Sequence, residues 1–90
     1  EIDDVSFTAY LCIDMLLNDE QISDLIYQCR KAKTGVEMVQ SQEGKTYVNI
    51  VVHNRKQVAQ IIRELRMLLG FPRISRLSMP APLLDVSHAS

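Results

Sequence analysis

One short pattern is written twice in this chain. "NDEQISDLI" (18–26) and "NRKQVAQII" (54–62) share the form Asn-x-x-Gln-Ψ-x-x-Ψ-Ψ, where Ψ is aliphatic. An Asn ahead of an apolar-periodic run reads as a helix N-cap, because its short side chain accepts from a backbone N–H that the helix leaves without a partner. A Gln three positions on has the spacing of a capping box. Apolar residues then recur at helical intervals: Ile22, Leu25, Ile26 and Cys29 in the first copy, and Val58, Ile61, Ile62, Leu65, Leu68 and Leu69 in the second. Gly35 and Gly70 stand where a left-handed C-cap is expected, and Pro72 blocks continuation of the second helix. A chain of 90 residues can cover two such helices with one sheet and little more.

Strand-like segments flank each helix. "VSFTAYLCIDM" (5–15) alternates Phe7, Ala9, Leu11 and Ile13 on one face with Thr8, Tyr10, Cys12 and Asp14 on the other. "GVEMVQSQ" (35–42) is a second strand, and the turn-rich "SQEGK" leads into "KTYVNIVVH" (45–53) as a hairpin. There Thr46, Val48, Ile50 and Val52 face the core, while Lys45, Tyr47, Asn49, Val51 and His53 face away. "RISRLSM" (73–79) is a fourth strand. The order βαββαβ, with right-handed crossovers, predicts an α+β ferredoxin-like split βαββαβ sandwich. Its four-stranded antiparallel sheet has the order 4-1-3-2, with two helices on one face. Residues 1–79 are expected to form this single domain. Residues 80–90 carry two of the three prolines and no periodicity, so they read as a tail or linker, with Leu83, Leu84 and Val86 as a candidate cover for an apolar patch.

Composition narrows the function classes. The chain is 47% hydrophobic and 23% charged with a formal net charge of -1, the profile of a small globular domain. Near-zero net charge confers no general attraction to nucleic acid or acidic lipid, so such binding needs a local basic patch. No apolar run reaches the length of a membrane span, and no membrane partner is expected. The start, "EIDDVSFTAY", has neither an initiator Met nor a signal-peptide pattern and looks like part of a longer chain. Cys12 and Cys29 form no CxxC, and His53 and His88 are not spaced for chelation, so no metal or cofactor is expected. Both cysteines read as free thiols in a reducing, intracellular and cytoplasmic setting.

Catalytic chemistry has little to stand on. The glycines are isolated at caps and turns, with no phosphate loop and no Gly-x-Ser-x-Gly elbow. A thiol and imidazole pair would have to come from Cys12 or Cys29 with His53 or His88, and Asp3, Asp4 and Asp14 read as solvated acids. No enzyme activity is expected. What remains is the second sheet face, with Tyr10, Cys12, Tyr47, Asn49 and Val51 as a candidate interaction face. A tyrosine there serves as a half-buried strand former under a partner, as a stacking platform for bases, or as the wall of a small-ligand site. Cations form a second candidate set. "RKAK" (30–33) ends the first helix, where positive charge complements the dipole, but Arg55 and Lys56 stand in the first turn of the second helix, where it does not. Arg55, Lys56 and Arg76 are therefore candidate contacts for an anion or nucleic acid. Arg63 and Arg66 read as a solvated face.

Two family resemblances follow. "YVNIVVHNRKQVAQIIRELRMLLGFPRISRL" resembles the closing β-α-β of ACT and ACT-like regulatory domains, over plausible lengths from about residue 6 to 79. The place of the Asp-Arg-x-Gly-Leu ligand turn reads "DMLLNDEQ" here. The resemblance thus implies the fold and a habit of pairing between subunits, not an amino-acid site. The expected function is a non-catalytic regulatory or interaction module that binds another copy or another protein domain. "AYLCID" and "GKTYVNI" also resemble the first and third strands of an RNA-recognition motif, with Tyr10 and Tyr47 in two stacking positions. That implies single-stranded RNA as the alternative partner. A small-ligand sensor is the third reading.

Overall fold

The computed structural model describes residues 5–80. They form β1 (Phe7–Ile13), α1 (Asp19–Lys31), β2 (Gly35–Gln42), β3 (Lys45–Val52), α2 (Arg55–Leu69) and β4 (Ile74–Leu77). The fold is α+β, with one four-stranded antiparallel sheet in the order β2-β3-β1-β4. Read from the β4 edge, that order of neighbours is 4-1-3-2. Several elements are shorter than their periodicity suggests. β1 stops at Ile13, where the chain turns back on itself: the Asp14 amide still donates in register to the Arg73 carbonyl at 2.9 Å, but the Met15 amide donates to the Ile13 carbonyl at 2.8 Å. His53 leaves β3 because the next residue, Asn54, is already the cap of α2.

β1 and β3 pair along the full length of β1, from Phe7 opposite Val52 to Ile13 opposite Thr46. The β2–β3 hairpin turns through Glu43 and Gly44, both left-handed at φ 51 and 81. That mirror-image turn matches the twist of the strands it joins. A register shift between Val36 and Met38 leaves Glu37 as an extra residue on the rim strand β2.

The core lies under one face of the sheet. Ala9, Leu11 and Ile13 of β1 and Val48, Ile50 and Val52 of β3 are buried with Leu25 and Cys29 of α1 and Val58, Ile61 and Leu65 of α2. Both helices therefore cover the same face. Thr46 is buried in this layer, its hydroxyl donating to the Met15 carbonyl at 2.8 Å, which makes a polar group tolerable there. Leu68 departs from the expected stripe. It is exposed, while Leu69 beside it is buried.

The helix ends show how differently the two copies of the motif work out. At α1 the capping box is complete: the Gln21 amide donates to Asn18 Oδ1 at 2.8 Å, and the Asn18 amide donates to Gln21 Oε1 at 3.0 Å. At α2 only the first half forms, from the Gln57 amide to Asn54 Oδ1 at 3.0 Å. The Gln57 side chain instead accepts from the His53 amide at 2.6 Å and donates to the Ala32 carbonyl at 3.3 Å. It ties the start of α2 to the end of α1. Gly70 closes α2 in the left-handed region, as expected (φ 87). Gly35 does not close α1. The left-handed residue there is Lys33 (φ 63), and Gly35 is already in β2. Thr34 makes a glycine unnecessary, because its amide and hydroxyl both donate to the Cys29 carbonyl, at 2.9 and 3.0 Å.

Candidate interaction face

The sheet alternation places all five expected face residues together, on the side away from the helices. Thr8 stands opposite Val51, Tyr10 opposite Asn49 and Cys12 opposite Tyr47. Tyr10 and Tyr47 are diagonal neighbours across the two central strands, a separation that aromatic rings can bridge. The flanking strands widen the patch: Leu77 stands opposite Tyr10, Met38 opposite Asn49, and Gln40 opposite Tyr47. The central residues are half-buried, whereas their neighbours along the same strands are buried in the core. Local desolvation, and then the Cys12 thiol beside it, push the Tyr47 hydroxyl above its ordinary value.

Two hollows border this face. β4 ends at Leu77 while β1 continues to Phe7, which leaves a notch of about 340 Å³ at Thr8, Tyr10, Arg76 and Leu77. A smaller hollow of about 160 Å³ lies at Cys12, Asp14, Lys45 and Arg73. Lys45 meets Asp14 there at 3.7 Å, an exposed ion pair that adds little stability. On the helical side, Gln28 donates to Glu64 at 3.3 Å beside a groove lined by Met67 and Leu68.

The three candidate cations do not form one group with the tyrosines. Arg55 and Lys56 are exposed in the first turn of α2, as expected. Arg76 stands on β4 opposite Leu11, on the helix side of the sheet, with its guanidinium 5.9 Å from the Phe7 ring. It also lines the notch beside Tyr10 at the border of the open face. Among the described residues Cys12 and Cys29 are free, and Cys29, on α1, is fully buried in the core. Burial pushes the Cys29 thiol up, against a smaller opposite effect of Thr34. No cluster of three or more His, Cys, Asp or Glu suited to a metal occurs among the described residues, and no helix among them is long and apolar enough to cross a membrane. Asp3, Asp4, His88, Leu83, Leu84, Val86 and all of the tail beyond Pro80 lie outside the described residues.

Sequence reasoning missed two members of the face and one exposed aromatic outside it. Met38 and Leu77 belong to the face and follow from register alone, which needs the bulge at Glu37 to be known for Met38 and the pairing of β4 with β1 for Leu77. Tyr27 is exposed on α1 beneath the Lys31 ammonium, 5.8 Å from its ring centre. Its signal was legible, since Tyr27 falls off the stripe of Ile22, Leu25, Ile26 and Cys29. Comparison with models of known protein families and with curated proteins finds no match for this chain.

Proposed function

We propose that the chain is a non-catalytic interaction module of ACT-like, ferredoxin-like type, which pairs with a second copy of itself through the open sheet face. One observation carries this reading. Tyr10, Met38, Tyr47, Val51 and Leu77 share that face with Cys12, Asn49 and Gln40, while both helices pack on the other side. An apolar and aromatic centre with interspersed hydrogen-bonding groups suits an isologous interface, where the same patch meets itself. Charge is confined to the margin, at Glu37, Asp14, Lys45 and Arg73, so two copies meet without like charges at the centre.

The size of the face sets the strength. Four strands of about seven residues cover roughly 450 Å² in projection. A standard interface buries roughly 800 Å² per partner, so the dimer is expected to be concentration-dependent. Light scattering coupled to gel filtration should show the mass rising from monomer to dimer with loading. Tyr47→Asp should hold it at the monomer. A wild-type chain that stays monomeric at the highest attainable concentration rules this pairing out.

A further inference from the structure

Five cations from two distant segments converge at one end of this molecule. Arg30, Lys31 and Lys33 end α1, and Arg55 and Lys56 begin α2. The Gln57 amide group donating to the Ala32 carbonyl at 3.3 Å holds these ends together. All five side chains are exposed, and none forms an ion pair among the described residues. Glu37, four residues beyond Lys33, accepts from the Thr8 hydroxyl at 3.4 Å on the open sheet face. Helix energetics accounts for Arg30 and Lys31, but Arg55 and Lys56 oppose the dipole of their own helix, and α2 has no acid in its first turn. A local basic patch is what a chain of near-zero net charge needs in order to hold a polyanion. Beside the patch, one turn before Lys31, the Tyr27 ring is 62% exposed with the Lys31 ammonium over it.

We propose that this end binds single-stranded nucleic acid, with Arg30, Lys31, Lys33, Arg55 and Lys56 neutralising backbone phosphates and Tyr27 stacking a base. A cationic track with an exposed aromatic is the arrangement that binds single strands without reading their sequence. An acidic peptide would need a groove, and the hollows at Tyr10, at Asp14 and at Met67 lie elsewhere. Pairing along the free rim of β2, which begins at Gly35, would leave the exposed Tyr27 without a role. The site is separate from the open face, so a copy paired through its sheet still presents it.

The test is fluorescence anisotropy of the full chain with a labelled, unstructured RNA of roughly 12 nucleotides. Neutralising about three to five phosphates predicts a roughly 20- to 130-fold loss of affinity between about 50 and 200 mM salt. Lys31→Gln with Lys33→Gln, and Arg55→Gln with Lys56→Gln, should each weaken binding about tenfold or more, while Arg63→Gln with Arg66→Gln, on the far stretch of α2, changes it little. Tyr27→Ala should cost about fivefold or more and Tyr27→Phe little, as stacking requires. Circular dichroism checks that each variant is folded. No binding at the lower salt overturns the proposal, as do equal losses from the Arg63 and Arg66 pair. Polyglutamate or phosphatidylserine vesicles that displace the RNA as well as unlabelled RNA does would assign the patch to another anion. Loss of binding in Tyr10→Ala with Tyr47→Ala would move the site to the sheet face. Binding seen only after Asp3→Asn with Asp4→Asn would give the patch to the chain's own acidic segment.

Discussion

α1 and α2 carry the same capping motif and the same apolar spacing, yet they differ in what surrounds that frame. Shifting by 36 positions lays Asn18 on Asn54, Gln21 on Gln57, Leu25 on Ile61 and Cys29 on Leu65. The buried members coincide in role, for all four of Leu25, Cys29, Ile61 and Leu65 are fully buried. The exposed members diverge. Asp19 and Glu20 open α1 and Arg30 and Lys31 close it, so its charges follow the dipole, whereas Arg55 and Lys56 open α2. Packing tolerates one solution at these sites, while the surface is free to take on work that costs stability. Gln28 and Glu64 are also equivalent under the shift, and they touch each other, so the two helices meet at matching points.

The comparison can be broken first in the core. Leu25→Ala and Ile61→Ala should each destabilise by about 2–5 kcal/mol in urea denaturation. A negligible effect of either would mean that the two helices do not share one core. The caps come next. Gln57→Ala should cost more than Gln21→Ala, about 1–3 against 0.5–1.5 kcal/mol, because Gln57 serves both His53 and Ala32. Equal costs would show that the link between the helix ends carries no weight. Charge is a smaller effect of opposite sign. Arg55→Glu with Lys56→Glu should raise stability by about 0.3–1 kcal/mol per residue at low salt, and the gain should shrink as salt screens it. A melting point that falls would remove the argument that these cations are held at a cost.

Cys29 offers the finest distinction, since its counterpart Leu65 cannot titrate. Folded and unfolded chains both keep the thiol protonated below about pH 8.5, so stability there is full. As pH rises further, the unfolded chain releases this proton first, because burial holds the folded thiol higher. Stability should therefore fall through the alkaline range, and Cys29→Ala should flatten that part of the pH profile.

How much of this was legible depended on how local the governing contacts are. The helices and the central strands could be read because apolar spacing and Asn caps act within a few residues. Gly35 was misread because a glycine near a helix end is a strong sign of a cap, and the Thr34 bonds that replace it show no pattern of their own. Leu68 was misread because six apolar residues cannot all fit one face, and only packing decides which is left out. Of the face, Tyr10, Cys12, Tyr47, Asn49 and Val51 followed from alternation. Met38 and Leu77 did not, since a bulge and a short edge strand set their register. The cationic end was invisible as a unit because Lys33 and Arg55 are far apart in the chain and Gln57 joins them only in three dimensions.

The strand order has a consequence for how the chain reaches this structure. β1 finds both of its partners, β3 and β4, in the second half of the chain, so neither half can complete a sheet alone. Closing the loop from Phe7 to Val52 must precede most of the contacts that reward it. Folding is then expected to be one slow, concerted event on the scale of mixed α/β domains, not the docking of two finished halves. Either half made alone would expose the rim it should have shared.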